Sequence, residues 1–237
     1  MTRLGMITAV AIALLPQAMR AQVDPLTLDD FSTGAGKASA TSGTKTVTMT
    51  GSGIYGGTRA VSVVFGKGSK ANAFGQPAQA QVRPEATGGA TPSALVVSEG
   101  YDVDAVIQVA YEGAANESLN LDMAPYNRFR VTYAGVTQQL DFVFEVIDNS
   151  GNYSEVGCDV GPYAPSLSAS GFTTVDIPTA SFGPTLSGPV NWNKVESILL
   201  QWESANSYGV DNFAVTGLSA LTPADTSAPT VVCPPAS

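Results

Sequence analysis

Carboxylates are the first residues in this chain that could do chemistry. Asp102, Asp104, Glu112, Glu117, Asp141, Glu145 and Glu196 are raw material for a hydrolase, in which two carboxylates work roughly 5–9 Å apart. Asp141 and Glu145 fall on one face of an alternating segment. Four positions of strand put them about 13 Å apart, too far to act together, so a solvated face is the better reading. Histidine is absent, which removes Ser-His-Asp and Cys-His schemes and His-ligated zinc. There is no GxSxG, P-loop or dinucleotide fingerprint. The expectation is a protein that is not an enzyme.

Aromatic rings next to hydrogen-bonding groups suit amphipathic ligands such as sugars. Tyr55 and Tyr126 lie beside glycine, proline or asparagine, and Tyr153 ends the run Asn149-Ser150-Gly151-Asn152, so all three read as loop residues. Trp192 sits between asparagines and is the fourth candidate, while Tyr163 and Tyr208 are weaker ones. Tyr111, Trp202 and Phe213 read as core. The cysteines are Cys158 and Cys233, and neither belongs to a CxxC pair. A disulfide between them would tie a Pro-rich tail to the body, with free thiols or bonds to other chains as the alternatives.

The elements that must position these residues are strands. Segments with a period of two run over Leu26–Phe31, Lys45–Thr50, Ala60–Phe65, Gln79–Arg83, Leu95–Val97 and Ala105–Tyr111. Arg128–Tyr133, Leu140–Ile147, Thr173–Ile177, Val195–Trp202 and Tyr208–Thr216 continue the series. In Leu140–Ile147, Leu140, Phe142, Phe144 and Val146 share one face, as a sheet packed on a second layer requires. Ser32–Thr44 reads as a small-residue loop. The expected fold is an all-β jelly-roll sandwich, with an up-and-down barrel as the rival.

Met1–Ala21 has the layout of a secretory signal peptide: Arg3, an apolar run from Leu4 to Leu15, then Pro16 and a small residue at Ala21. The run is shorter than the roughly 20 residues a bilayer core asks for, so no transmembrane segment is expected in the mature chain. Residues 22–218 form the expected domain, and 219–237 read as a Pro/Ser/Thr-rich tail. The 237-residue chain has 11 Lys+Arg against 20 Asp+Glu, a net charge of -9. That acidity does not suit nucleic-acid binding, which draws its affinity from basic residues on phosphates. A secreted or cell-surface protein is expected, with the periplasm as another destination.

Leu28-Asp29-Asp30-Phe31-Ser32 opens the domain and Tyr208-Gly209-Val210-Asp211-Asn212-Phe213 nearly closes it, with Phe172–Pro178, Phe182, Trp192 and Ile198-Leu199-Leu200 between. This pattern resembles the galactose-binding-like jelly rolls, a superfamily that includes many carbohydrate-binding modules, over about residues 26–218. The resemblance implies a non-catalytic module for a glycan or an extracellular protein. It also implies a structural calcium held by Asp30, or its neighbour Asp29, and by Asp211. Calcium asks for six to eight hard oxygen ligands. Turn residues facing solvent are the other reading of the same acids. A structural or adhesive protein assembled through its sandwich is the alternative function.

Overall fold

The computed structural model describes residues 23–65, 74–84, 92–113, 118–162, 172–183, 188–204, 212–225, 229 and 231–233. The expected leader, Tyr163, Tyr208 and Asp211 lie outside them. The strands are β1 (Leu26–Asp29), β2 (Gly36–Ala40), β3 (Thr44–Thr50), β4 (Thr58–Val64), β5 (Ala78–Arg83), β6 (Ala94–Glu99) and β7 (Val106–Tyr111). They continue as β8 (Arg128–Val136), β9 (Leu140–Asp148), β10 (Tyr153–Val160), β11 (Thr173–Pro178), β12 (Val195–Ser204), β13 (Asn212–Leu221) and β14 (Val231–Val232).

Two sheets form a β-sandwich of jelly-roll-like layout. One runs β14-β11-β8-β13-β6-β5-β2, with β1 also on β13, and the other runs β10-β9-β12-β7-β4-β3. Every pairing within the sandwich is antiparallel except β11 with β14. The alternation read from the sequence decides the faces. Phe142, Phe144 and Val146 of β9 point inward with Ile198, Leu200 and Trp202 of β12. Opposite them lie Phe129, Val131 and Tyr133 of β8. Phe129 and Phe144 stack with centroids 4.6 Å apart, and Trp202 Nε1 donates a hydrogen bond to the Tyr133 hydroxyl at 2.8 Å. Side chains of this kind each contribute about 1.5–3 kcal/mol by leaving water. Tyr111, Trp202 and Phe213 are buried, as expected for core.

Three strands differ from the sequence reading. β2 occupies part of the expected loop Ser32–Thr44. Its sequence GKASA has no β-branched residue, but pairing with β5 holds it, and its small side chains are needed. A Cβ on Gly36 would lie 2.8 Å from the Met49 methyl. β10 begins at Tyr153, which reads as a loop residue but pairs with Ile147; Gly157 and the alternating acids of this strand dilute its apolar signal. β14 falls in the expected tail, and β13 itself runs on to Leu221.

The side edges of the sandwich are closed differently. At one, Cys158 of β10 and Cys233 after β14 form a disulfide that joins the two sheets across 75 positions of chain. Cys233 is buried, its amide donates to the Asp176 carbonyl at 2.9 Å, and its carbonyl accepts from Ser181 Oγ at 3.2 Å. At the other edge, β2 and β3 follow each other as the chain crosses between the sheets.

Candidate functional site

The outer face of the six-stranded sheet is built by registered rows. One row runs Gly157, Val143, Gln201, Gln108, Ser62, Thr46 across β10, β9, β12, β7, β4 and β3. The next runs Glu155, Glu145, Leu199, Ala110, Ala60, Thr48. None of these side chains is buried, so among the described residues no layer covers the face. Gln108 Nε2 donates to Gln201 Oε1 at 2.7 Å, and Gln201 Nε2 donates to Glu145 Oε1 at 2.6 Å. Thr46 and Ser62 hydroxyls are 2.7 Å apart. Each amide is thus oriented by its neighbour before any ligand arrives. Beside this ladder the small Ala60 and Ala110 leave a hollow of about 190 Å³, bounded by Thr48, Thr58, Glu112 and Gly113, with the inward-turned Arg59 also lining it.

Acids gather at the β10 side of the face. Asp141 stands directly opposite Asp159, Glu145 opposite Glu155, and Glu203 opposite Asp141. Like charges in register repel. Partial burial raises the Asp141 carboxyl above the ordinary carboxylate value, and Asp159 adds to the rise. Burial and Glu155 raise Glu145 against the opposing hydrogen bond from Gln201. Burial, Asp104 and Asp141 raise Glu203. The solvated face expected for Asp141 and Glu145 is observed, with strand neighbours that the sequence did not reveal.

A second polar locus lies at one end of the sandwich. Thr27, Asp30, Ser52, Gly53, Ile54, Tyr55 and Gly56 line an open cleft of about 470 Å³. Behind it, Asp29 is fully buried and accepts from Arg59 Nη1 at 2.7 and 2.6 Å, from the Tyr111 hydroxyl at 2.9 Å and from the Phe31 amide at 2.7 Å. Burial pushes the Asp29 carboxyl upward, and the Arg59 guanidinium pulls against it. The Tyr111 phenol is raised well above its usual range by burial and by Asp29. Asp29 and Asp30 therefore have different fates: one is an internal ion-pair member, the other an exposed acid in a turn with Ser32.

The sequence candidates scatter. Tyr55 lines the end cleft and lies close enough to Tyr126 to affect it: burial, then Tyr55, Asp122 and Asp24, raise the Tyr126 phenol. Tyr153 is 41% exposed at the start of β10, on the outer sheet face near Ile147. Trp192 is half-buried, its ring 5.2 Å from Phe182 and 6.4 Å from Phe129, so much of it is packing surface. Its loop is pinned by Asp148, which accepts from the amides of Asn191 at 2.8 Å, Ser150 at 2.8 Å and Asn152 at 3.0 Å. Burial opposes ionisation of Asp148, but those bonds outweigh it and hold the carboxyl below its ordinary value.

Asp30 follows Asp29, whose partner on β13 is Leu218. Asn212, at the start of β13, is six positions from Leu218, about 20 Å of strand. The register brings the start of β13 beside Ser98 of β6, not beside Asp30. Among the described residues no group of three or more His, Cys, Asp or Glu could hold a metal ion. Gln108, Gln201, Ser62 and Thr46 were not singled out in the sequence. Their outward alternation was visible, but their alignment into one row depends on pairings between distant segments.

No protein-family model matches the chain, and no curated protein matches its sequence. Among solved structures, the chain is similar to the family 11 carbohydrate-binding module of the cellulosomal cellulase Lic26A-Cel5E of Clostridium thermocellum. That match has 16% identity and a TM-score of 0.46, and covers 87% of this chain and 99% of that one. A family 30 carbohydrate-binding module matches with 12% identity, a TM-score of 0.37, and 62% and 82% of the two chains. An exo-beta-agarase matches at 10% identity and a TM-score of 0.43, over 62% of this chain and 22% of that one. The β-sandwich is established by its own strand pairing.

Proposed function

We propose that the protein is an exported, non-catalytic binding module whose six-stranded sheet takes a neutral carbohydrate chain across its outer face. The observation that carries this reading is the ladder Glu145, Gln201, Gln108, Ser62, Thr46. It crosses strands β9 to β3, a span of about 19 Å at ordinary strand spacing, enough for several sugar units. Amides and hydroxyls set in one orientation offer alternating donors and acceptors to sugar hydroxyls at little ordering cost. The hollow over Ala60 and Ala110 gives a ring face somewhere to sit, and Tyr153 supplies an exposed ring at the edge.

Charge narrows the ligand. Asp141, Glu145, Glu155, Asp159 and Glu203 occupy the β10 side, and no Lys or Arg shares the outward set of β10, β9, β12, β7 and β4. Uronic or sulfated chains would be repelled. The Cys158–Cys233 bond fits an oxidising compartment, which agrees with the leader expected at residues 1–21. Among the described residues no helix is long and apolar enough to cross a membrane.

A glycan array followed by calorimetry with soluble neutral polysaccharides tests the reading. The expected result is binding that weakens at least about tenfold in the Gln108→Ala, Gln201→Ala double variant. Absence of any neutral-glycan binding, or affinity that survives the double substitution in a folded protein, would refute it.

A further inference from the structure

We propose that the cleft at the end of the sandwich is a second, separate site that takes a single neutral sugar ring. It lies on the loops joining β1 to β2 and β3 to β4, and shares no residue with the ladder on the sheet face. Its volume of about 470 Å³ falls among small-molecule sites.

The lining specifies the ligand class. Tyr55 offers a half-buried aromatic ring, and Thr27 and Ser52 offer hydroxyls. Asp30 Oδ1 is fixed by the Ser32 amide at 2.9 Å and the Ser32 hydroxyl at 2.5 Å, which leaves Oδ2 to accept from a sugar hydroxyl. A ring face on the tyrosine with hydroxyls on a carboxylate is how a pyranose is held. Only one of the lining residues is aromatic, so the cleft is no cage for an organic ammonium group, and its acid repels anions.

The walls are built rather than incidental. Phe31 has φ +55°, a left-handed conformation that a bulky residue adopts only when its surroundings force it. Three contacts do so: the Phe31 amide on Asp29 at 2.7 Å, the Arg59 guanidinium 5.0 Å from its ring centre, and Arg59 Nη2 on the Thr33 and Gly34 carbonyls at 2.6 and 2.9 Å. On the facing wall, the Tyr55 amide donates to the Leu28 carbonyl at 2.8 Å. Gly53 sits so close that a Cβ there would lie 2.6 Å from Asp30 Oδ1. The buried ion pair thus holds the turn that presents Asp30, and the glycine-rich hairpin is pressed against it.

Nitrogen-15-labelled full-length protein titrated with methyl glucoside, methyl galactoside and methyl mannoside at millimolar concentrations tests this. Saturable shifts are expected at the amides of Ser52, Gly53 and Tyr55 for at least one glycoside. Asp30→Asn and Tyr55→Ala should each weaken binding about tenfold, while Tyr55→Phe, which keeps the ring, binds as the native protein does. In the Gln108→Ala, Gln201→Ala variant the shifts at Ser52, Gly53 and Tyr55 should be unchanged, so failure of the sheet-face reading and failure of this one are read separately. No saturable shift with any glycoside, or full affinity in both Asp30→Asn and Tyr55→Ala, overturns the proposal. So does a cleft that answers to calcium chloride instead of sugar.

Discussion

Arg59 and Asp29 illustrate how one position decides a residue's role. They are adjacent to nothing in sequence that marks them, and Asp30 looks the same on paper. The pleat sends Asp29 inward and leaves Asp30 outside. A charge in the interior is tolerated only with its partner and further hydrogen bonds, which Tyr111 and the 33–34 carbonyls supply. Arg59→Met should therefore cost about 3–5 kcal/mol, because it leaves a buried carboxylate without its cation. Urea unfolding measures this, and adding Asp29→Asn should restore part of the loss. A cost below about 1 kcal/mol would mean that the pair is not buried in solution. The sequence showed acids at the start of the domain but could not show which of the two was internal, since burial depends on pairing with β13, most of the chain away.

At the scale of elements, β9 and β10 set charges against each other. Asp141 and Glu145 were legible as an outward face, because period-two alternation is local. Glu155 and Asp159 were not, because their strand contains Gly157 and few branched residues. Their opposition has a consequence for pH. Carboxyls raised in the folded state hold more protons than the unfolded chain does, so stability falls as pH rises from the ordinary carboxylate range through the raised values. Asp148, lowered in the folded state, acts oppositely: its contribution is lost as pH drops through its own depressed value. The melting temperature should thus peak in mild acid and decline toward neutrality. Asp159→Asn with Glu155→Gln should flatten the decline on the alkaline side. An unchanged profile in that variant would show that the cross-strand pairs do not govern it.

Across the whole molecule, the period-two pattern implied an all-β fold with one buried face per strand, which fits a two-layer sandwich and also the rival barrel; the two separate sheets decide for the sandwich. Sheet order was not legible, because neighbours such as β13 and β8 or β12 and β7 are brought together by long connections. The tail was read from its prolines as extended, and its proposed bond to Cys158 is present. What the sequence could not show was that the tail also adds Val231–Val232 to the edge of β11. A two-residue strand is too short to hold itself. Replacing both cysteines by serine should cost about 4 kcal/mol by the chain-entropy estimate, and should speed amide exchange at Asp176 and at residue 233, whose amide bonds the Asp176 carbonyl. Exchange at those amides that stays as slow as in the native protein would show that β14 docks without the bond.

That same bond reroutes mechanical load. A pull on the chain at Cys233 does not peel β14 from β11; it passes through sulfur to Cys158 and arrives on β10 in the other sheet. The segment between the cysteines, with β11, β12 and β13 in it, is taken out of the line of force across a separation of 75 positions. At about 3.5 Å of extended chain per residue, roughly 260 Å of length stays locked until the disulfide is reduced. The covalent cross-tie therefore acts as a stop on extension as well as a source of folding stability.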